Sequence, residues 1–157
     1  MTDPAIPTQG AFTDGVHRMT VRVYYEDTDT AGIVYYANYL RYTERARTEI
    51  LRLLGVDQYE LMTLPPEERV SFAVRRCEVD YLLPARLDDI ITVETRLEDI
   101  KAASMWMAQD IYRGDDHLIH SRIQAACMNH KGAPTRMPKD FVQQARAYLP
   151  LNQSATA

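Results

Sequence analysis

A chain of 157 residues with 46% hydrophobic and 25% charged residues is long enough to form one globular domain around a real core. A net charge of −4 argues against a general nucleic-acid binder, and no nucleic-acid partner is expected. The two cysteines, Cys77 and Cys127, form neither a CxxC pair nor a disulfide framework, which fits a reduced, cytoplasmic setting.

Residues 1–15 lack the basic and apolar regions of a signal peptide, and residues 31–40, the most apolar stretch, are broken by Asn38 and stopped by Arg41. No membrane span is expected. The head (1–15) and the tail (149–157) are rich in Pro, Gly, Ser, Thr and Ala and read as flexible. Between them no linker, repeat or low-complexity block interrupts a single domain over 16–148.

Val21, Val23 and Tyr25 alternate with more polar residues, so a first strand is predicted over 17–25. A loop with alternating Asp and Thr follows and ends at Gly32. A long amphipathic helix is predicted over 36–54. Steps of 100° place Tyr36, Tyr39, Leu40, Thr43, Ile50, Leu51 and Leu54 on one face, with Arg41, Arg45, Thr48 and Arg52 opposite. Gly55 is its expected stop. A short helical piece over 57–64 ends at Pro65–Pro66. Four strands are then predicted, over 70–83, 90–100, 102–113 and 117–129. The first of them changes phase near Arg75–Arg76, which predicts a bulge. A last short helix is expected over 140–148. One long helix followed by an antiparallel meander able to wrap it makes the class α+β.

Asp27 and Asp29 lie just before the long helix, so a carboxylate stands beside a helix N-terminus. A carboxylate can activate water, and unpaired N–H groups at a helix start can hold a developing oxyanion. The pair suggests acyl transfer, most simply hydrolysis. Asp and Thr are also favoured in turns and at helix caps, so either aspartate could instead brace the loop. No His or Cys lies nearby to complete a metal site, and no GxSxG nucleophile elbow occurs in the chain.

The run EDTDTAGIVYYANYLRYTERARTE (26–49) resembles the signature of the hotdog-fold acyl-CoA thioesterases. It is most similar to the Tol–Pal-associated, YbgC-like branch, and next to the 4-hydroxybenzoyl-CoA thioesterases. DIKAASMWMAQDIYR (99–113) agrees in layout, and the resemblance spans roughly 18–146. It implies a central helix wrapped by a curved antiparallel sheet, and catalysis by the second aspartate, Asp29. It also implies that the backbone N–H of Tyr36 polarises the thioester carbonyl. A general-base role for Asp29 is preferred over direct attack, because attack would create an anhydride needing its own hydrolysis. No cofactor and no metal are implied. A thiolate leaves without a strong acid, so a base and an oxyanion donor are a sufficient minimal site. The family's usual VYHANY reads VYYANY here, with Tyr36 where His is common. A backbone role survives that change.

Other residues have narrower readings. Arg47 falls within the apolar helix face and should meet a carboxylate, Glu44, Glu78 or Asp80. Asn38 could cap the helix or bond the loop. Met105, Trp106 and Met107 line an acyl pocket, the core or an interface. Lys101, Arg113, Lys131 and Arg136 are candidates for the phosphates of coenzyme A, with Lys101 and Arg113 preferred. His17, His117, His120 and His130, including Cys127-x-x-His130, read as surface or strand-pairing histidines, since strand positions three apart face opposite sides. The family site lies between subunits, which implies a homodimer or homotetramer. The alternatives are a thioesterase acting on acyl carrier protein, and a non-catalytic acyl-binding or docking module of the same fold.

Overall fold

The computed structural model describes residues 10–149. The chain runs β1 (Ala11–Thr13), β2 (Val16–Arg22), α1 (Asn38–Leu53), α2 (Gln58–Thr63), β3 (Val70–Tyr81), β4 (Ile90–Ile100), β5 (Ser104–Arg113), β6 (Asp116–Asn129) and α3 (Lys139–Arg146). The six strands form one antiparallel sheet in the order β1-β2-β4-β5-β6-β3.

The predicted meander holds for β4, β5 and β6 only. The chain leaves α2 at the far edge, so β3 pairs with β6 and β2 takes the place beside β4. β3 is therefore an edge strand, and most of its residues are exposed. The predicted bulge is present: the β3–β6 register slips between Val74 and Arg76.

The first strand ends earlier than its apolar pattern suggests. Tyr24 and Tyr25 leave the sheet, and a 3-10 turn forms over Tyr25–Asp27. Part of the expected flexible head is ordered. Asp14 and Gly15, both with positive φ (52° and 74°), turn the chain so that Ala11–Thr13 pair with β2. Two consecutive left-handed residues give the tight turn that suits the strand twist. The rest of the head (1–9) and most of the tail (150–157) lie outside the described residues.

Helix α1 packs on one face of the sheet. Its buried face is Tyr39, Tyr42, Thr43, Ala46, Ile50 and Leu51, with Leu54 just beyond. Tyr36 and Leu40 were expected on that face and are exposed instead, at 60% and 39%. The helix begins at Asn38, so Tyr36 precedes it and does not follow its periodicity. Leu40 sits at the edge of the arc that Tyr42 and Ala46 complete. At the other end, Gly55 has φ +80° and donates to Arg52 O, while Val56 N–H donates to Leu51 O at 2.8 Å. That is a glycine-terminated helix end, as the sequence predicted.

Two apolar clusters flank the helix along its length. One gathers Tyr39, Tyr42, Ala46, Ile91, Val93 and Ile111 near its start. The other gathers Ile50, Leu51, Leu97, Met105, Met107 and Phe141 near its end. Among the described residues, no helix is long and apolar enough to cross a membrane.

Candidate active site

The loop between β2 and α1 is fixed by Asp27. Its side chain is buried, its Oδ2 accepts the Tyr24 N–H at 2.8 Å, and its carbonyl accepts from Tyr35 N (2.9 Å) and Asn38 Nδ2 (2.8 Å). One residue thus ties the end of β2 to the start of α1. Asn38 takes the loop-bonding role that the sequence left open. The Tyr42 hydroxyl lies buried close to the Asp27 carboxylate without a hydrogen bond of good geometry. Burial first, and the adjacent Asp27 carboxylate second, hold that phenol strongly in its protonated form.

Asp29 has a different environment. It is exposed, and its Oδ1 accepts the Ala31 N–H at 2.8 Å in a side-chain turn. The backbone on either side is pinned: Asp29 N donates to Ile33 O (2.9 Å), and Gly32 N donates to Asp29 O (3.0 Å). Gly32 carries φ +75°, which lets the loop close this tightly. One carboxylate oxygen is held and the other faces outward. Of the two aspartates, Asp27 braces and Asp29 is presented.

Tyr36 stands at the helix start. Tyr35 N donates to Asp27 O and Asn38 N donates to Tyr35 O, whereas the Tyr36 and Ala37 N–H groups enter no backbone hydrogen bond among the described residues. These are the uncommitted donors expected at a helix N-terminus. The Tyr36 carbonyl accepts from Tyr81 Oη at 3.2 Å, and the Tyr36 ring meets Tyr35 and Tyr81 edge-on, with centroids at 4.9 and 6.1 Å. A depression of about 270 Å³ lies beside it, lined by Ile33, Tyr36, Tyr39, Tyr81, Leu83 and Pro84. The 84–86 turn closes this region from below: Val34 N donates to Ala85 O at 2.9 Å, and Ala85 N donates to Tyr39 Oη at 2.9 Å.

A second cleft, of about 470 Å³, opens between α1 and the β3 edge, lined by Leu40, Thr43, Arg47, Val74, Cys77 and Ile123. Arg47 meets Glu44, one of the expected carboxylates, and also donates from Nη1 to Gln109 Oε1 at 2.7 Å. Gln109, wholly buried, donates from Nε2 to Thr95 Oγ1 (2.9 Å) and Thr43 O (3.1 Å). This chain of polar groups crosses the core between the two apolar clusters. Nothing in the strand pattern flagged Gln109, because its side-chain partners come from two other elements, α1 and β4. Met105 and Met107 point inward under α1. Trp106 points the other way, with the Arg122 guanidinium 4.4 Å above its ring.

The two preferred phosphate contacts sit at opposite ends of the sheet. Arg113 is near the site end, but its guanidinium holds Asp89 (2.8 Å), Asp116 (2.9 Å) and the Pro84 carbonyl (3.3 Å). Burial disfavours the Asp89 charge. Hydrogen bonds from Arg113 and the Arg86 N–H, with the charges of both arginines, outweigh it and hold the carboxyl below its ordinary range. Lys101 follows the far end of β4, roughly 40 Å of strand from Asp89. It is exposed, with its Nζ 3.7 Å from Asp99.

Residues 23–145 match the family described as the thioesterase-like superfamily. The chain belongs to that family. It is 41% identical to the acyl-CoA thioesterase YbgC of Haemophilus influenzae over 121 residues, covering 76% of this chain and 87% of the relative. It is 40% identical to the acyl-CoA thioester hydrolase YbgC of Escherichia coli O6:H1 over 127 residues, covering 80% and 92%. A probable thioesterase from Bartonella henselae superposes with a TM-score of 0.74 at 36% identity, covering 78% of this chain and 99% of that one. The six-stranded antiparallel sheet around α1 is the hotdog fold that the sequence resemblance implied.

Proposed function

We propose that Asp29 and the Tyr36 backbone N–H carry out the hydrolysis in this member of the family. The activity is that of an acyl-CoA thioester hydrolase, releasing a free acid and coenzyme A. The observation that carries the site assignment is the division of labour between the two aspartates. Asp27 is buried and braces the loop through its carboxylate and its carbonyl, while Asp29 is exposed on a pinned backbone.

In this reading the Asp29 carboxylate takes a proton from water as the water attacks the thioester carbonyl. The Tyr36 N–H, uncommitted in the backbone ladder, hydrogen-bonds the oxyanion that forms. The tetrahedral intermediate collapses with expulsion of the coenzyme A thiolate, which then takes up a proton. Each of the two groups supplies a factor on the order of 10²–10⁴. A Tyr at position 36 leaves this scheme intact, because only its main chain takes part.

The assembly is a homodimer or homotetramer in which a second copy completes the site. The long exposed edge of β3, with Val74 and Tyr81 half exposed along it, supports this. The setting is cytoplasmic, consistent with two free cysteines. An acyl carrier protein remains the second candidate carrier. Arg113 contributes to coenzyme A binding only by exchanging one of its carboxylate partners for a phosphate. Lys101 serves only a site whose other parts come from a neighbouring subunit.

The test is thiol release from a panel of short, long and aromatic acyl-CoAs, run beside the same acyl groups on acyl carrier protein. Turnover of at least one acyl-CoA is expected. Turnover confined to the carrier-protein thioesters would move the substrate to that class. Binding of acyl-CoA without turnover would make the chain an acyl-binding module.

A further inference from the structure

The hairpin joining β5 to β6 brings together three side chains that the hydrolytic site does not use. On β5, Gln109 and Ile111 point into the core, so Asp110 between them emerges on the opposite face of the sheet. Its Oδ1 lies 2.9 Å from His117 Nε2 and 2.8 Å from His120 Nδ1. The three potential ligand atoms all fall within 4.8 Å of one another.

Residues three apart on a regular strand face opposite sides, which is why the sequence assigned these histidines to unrelated surface positions. The strand is not regular here. Ile111 pairs with Ile119, but Tyr112 pairs with His117, so Leu118 is the extra residue of a bulge. The bulge turns His117 onto the face of His120 and Asp110.

We propose that Asp110, His117 and His120 form a binding site for a divalent transition metal of the zinc class. Two imidazole nitrogens and one carboxylate oxygen, with a fourth position open, is an established donor set for that ion. Both histidines are partly open to solvent, at 36% and 47%, so an ion has a route in and a place for a water ligand. The supporting groups are also in place. The second carboxylate oxygen of Asp110 accepts from Arg96 Nη1 at 3.2 Å, which commits Oδ1 to the histidine side. The His117 ring stacks on Tyr112 with centroids at 4.6 Å and planes 17° apart, which orients Nε2 toward Asp110. Such outer contacts fix the direction of metal ligands. Glu94 stands opposite Asp110 on β4, and Asp80 stands opposite His120 on β3. Glu94 is itself paired with Arg18 and Arg96, which leaves Asp80 as the added negative charge beside the histidines. Tetrahedral Zn–N bonds of about 2.0–2.1 Å imply ligand separations slightly over 3 Å. The Asp110–histidine distances need to open by only a few tenths of an ångström. The bound ion would clamp β5 to β6 across the bulge.

The test is calorimetric titration of zinc chloride into the metal-stripped full chain carrying Cys77→Ser, which removes the exposed thiol as a competing ligand. One ion per chain is expected, with affinity falling by at least about 10²-fold in His117→Ala and in His120→Ala. His130→Ala should bind like the parent. Zinc should raise the melting temperature of the parent and leave that of the double variant His117→Ala/His120→Ala unchanged. The half-open histidines make these variants foldable, and far-ultraviolet circular dichroism checks it. Affinity weaker than about 1 mM in the parent overturns the proposal. So does binding that survives in the folded double variant.

Discussion

The Asp27 carboxylate is buried and accepts the Tyr24 N–H at 2.8 Å, while the Asp29 carboxylate, two residues on, is exposed and accepts the Ala31 N–H at 2.8 Å. The same residue type therefore has two roles within one loop. Asp27→Ala should lower unfolding free energy by about 1–2 kcal/mol, as losses of comparable side-chain-to-backbone bonds do. Asp29→Ala should cost less than half of that. Urea titrations of both variants check this, and equal costs would contradict the division.

Tyr36 is assigned through its main chain. Tyr36→Phe should keep kcat within a few-fold of wild type, because the N–H is untouched. Tyr81→Phe removes the hydroxyl that holds the Tyr36 carbonyl. Loss of one such bond, about 0.5–1.5 kcal/mol, should lower kcat by roughly two- to tenfold. A large loss in Tyr36→Phe would instead place the phenol in the chemistry.

Gln109 links Arg47, Thr95 and the carbonyl of Thr43 in the middle of the core. Gln109→Leu leaves Thr95 and Arg47 short of a buried partner, and should cost roughly 1–3 kcal/mol. Chemical denaturation measures it. A neutral result would show that the surrounding groups find water or one another.

The Asp89 carboxyl is held below its ordinary range through Arg113 and the Arg86 N–H, against the effect of burial. A depressed value in the folded state means that the group stabilises the fold above the unfolded value, about 3.9, and that the contribution fades as pH falls through the folded value. The stability gap between wild type and Asp89→Asn should be present at pH 7 and close progressively below about pH 4. A gap independent of pH would mean that the Arg113 pair contributes nothing through charge.

Much of this architecture is written in local patterns. The 3.6-residue period gave α1, Gly55 marked its end, and the phase change at Arg75–Arg76 marked the β3 bulge. The place of β3 at the far edge had no local signal, since it depends on where the chain emerges after α2. The Leu118 bulge was equally silent: it lies at a hairpin end where apolar residues run Leu118–Ile119 without alternation, so no phase change could be read. The resemblance singled out Asp29, and that Asp27 is the buried member of the pair is visible only in the three-dimensional loop. Arg113 and Lys101 looked alike as strand-end cations. Pairing separates them, because Arg113 already holds two carboxylates and Lys101 lies at the other end of β4.

The central claim is that the Asp29 carboxylate acts in the chemical step, and Asp29→Asn tests it with the smallest change of shape. The measurement is single-turnover and steady-state thiol release from the best acyl-CoA, alongside an unfolding curve for the same preparation. The account predicts a loss of at least about 10²-fold in kcat with stability close to wild type. A folded Asp29→Asn enzyme that hydrolyses the substrate at the wild-type rate would contradict it.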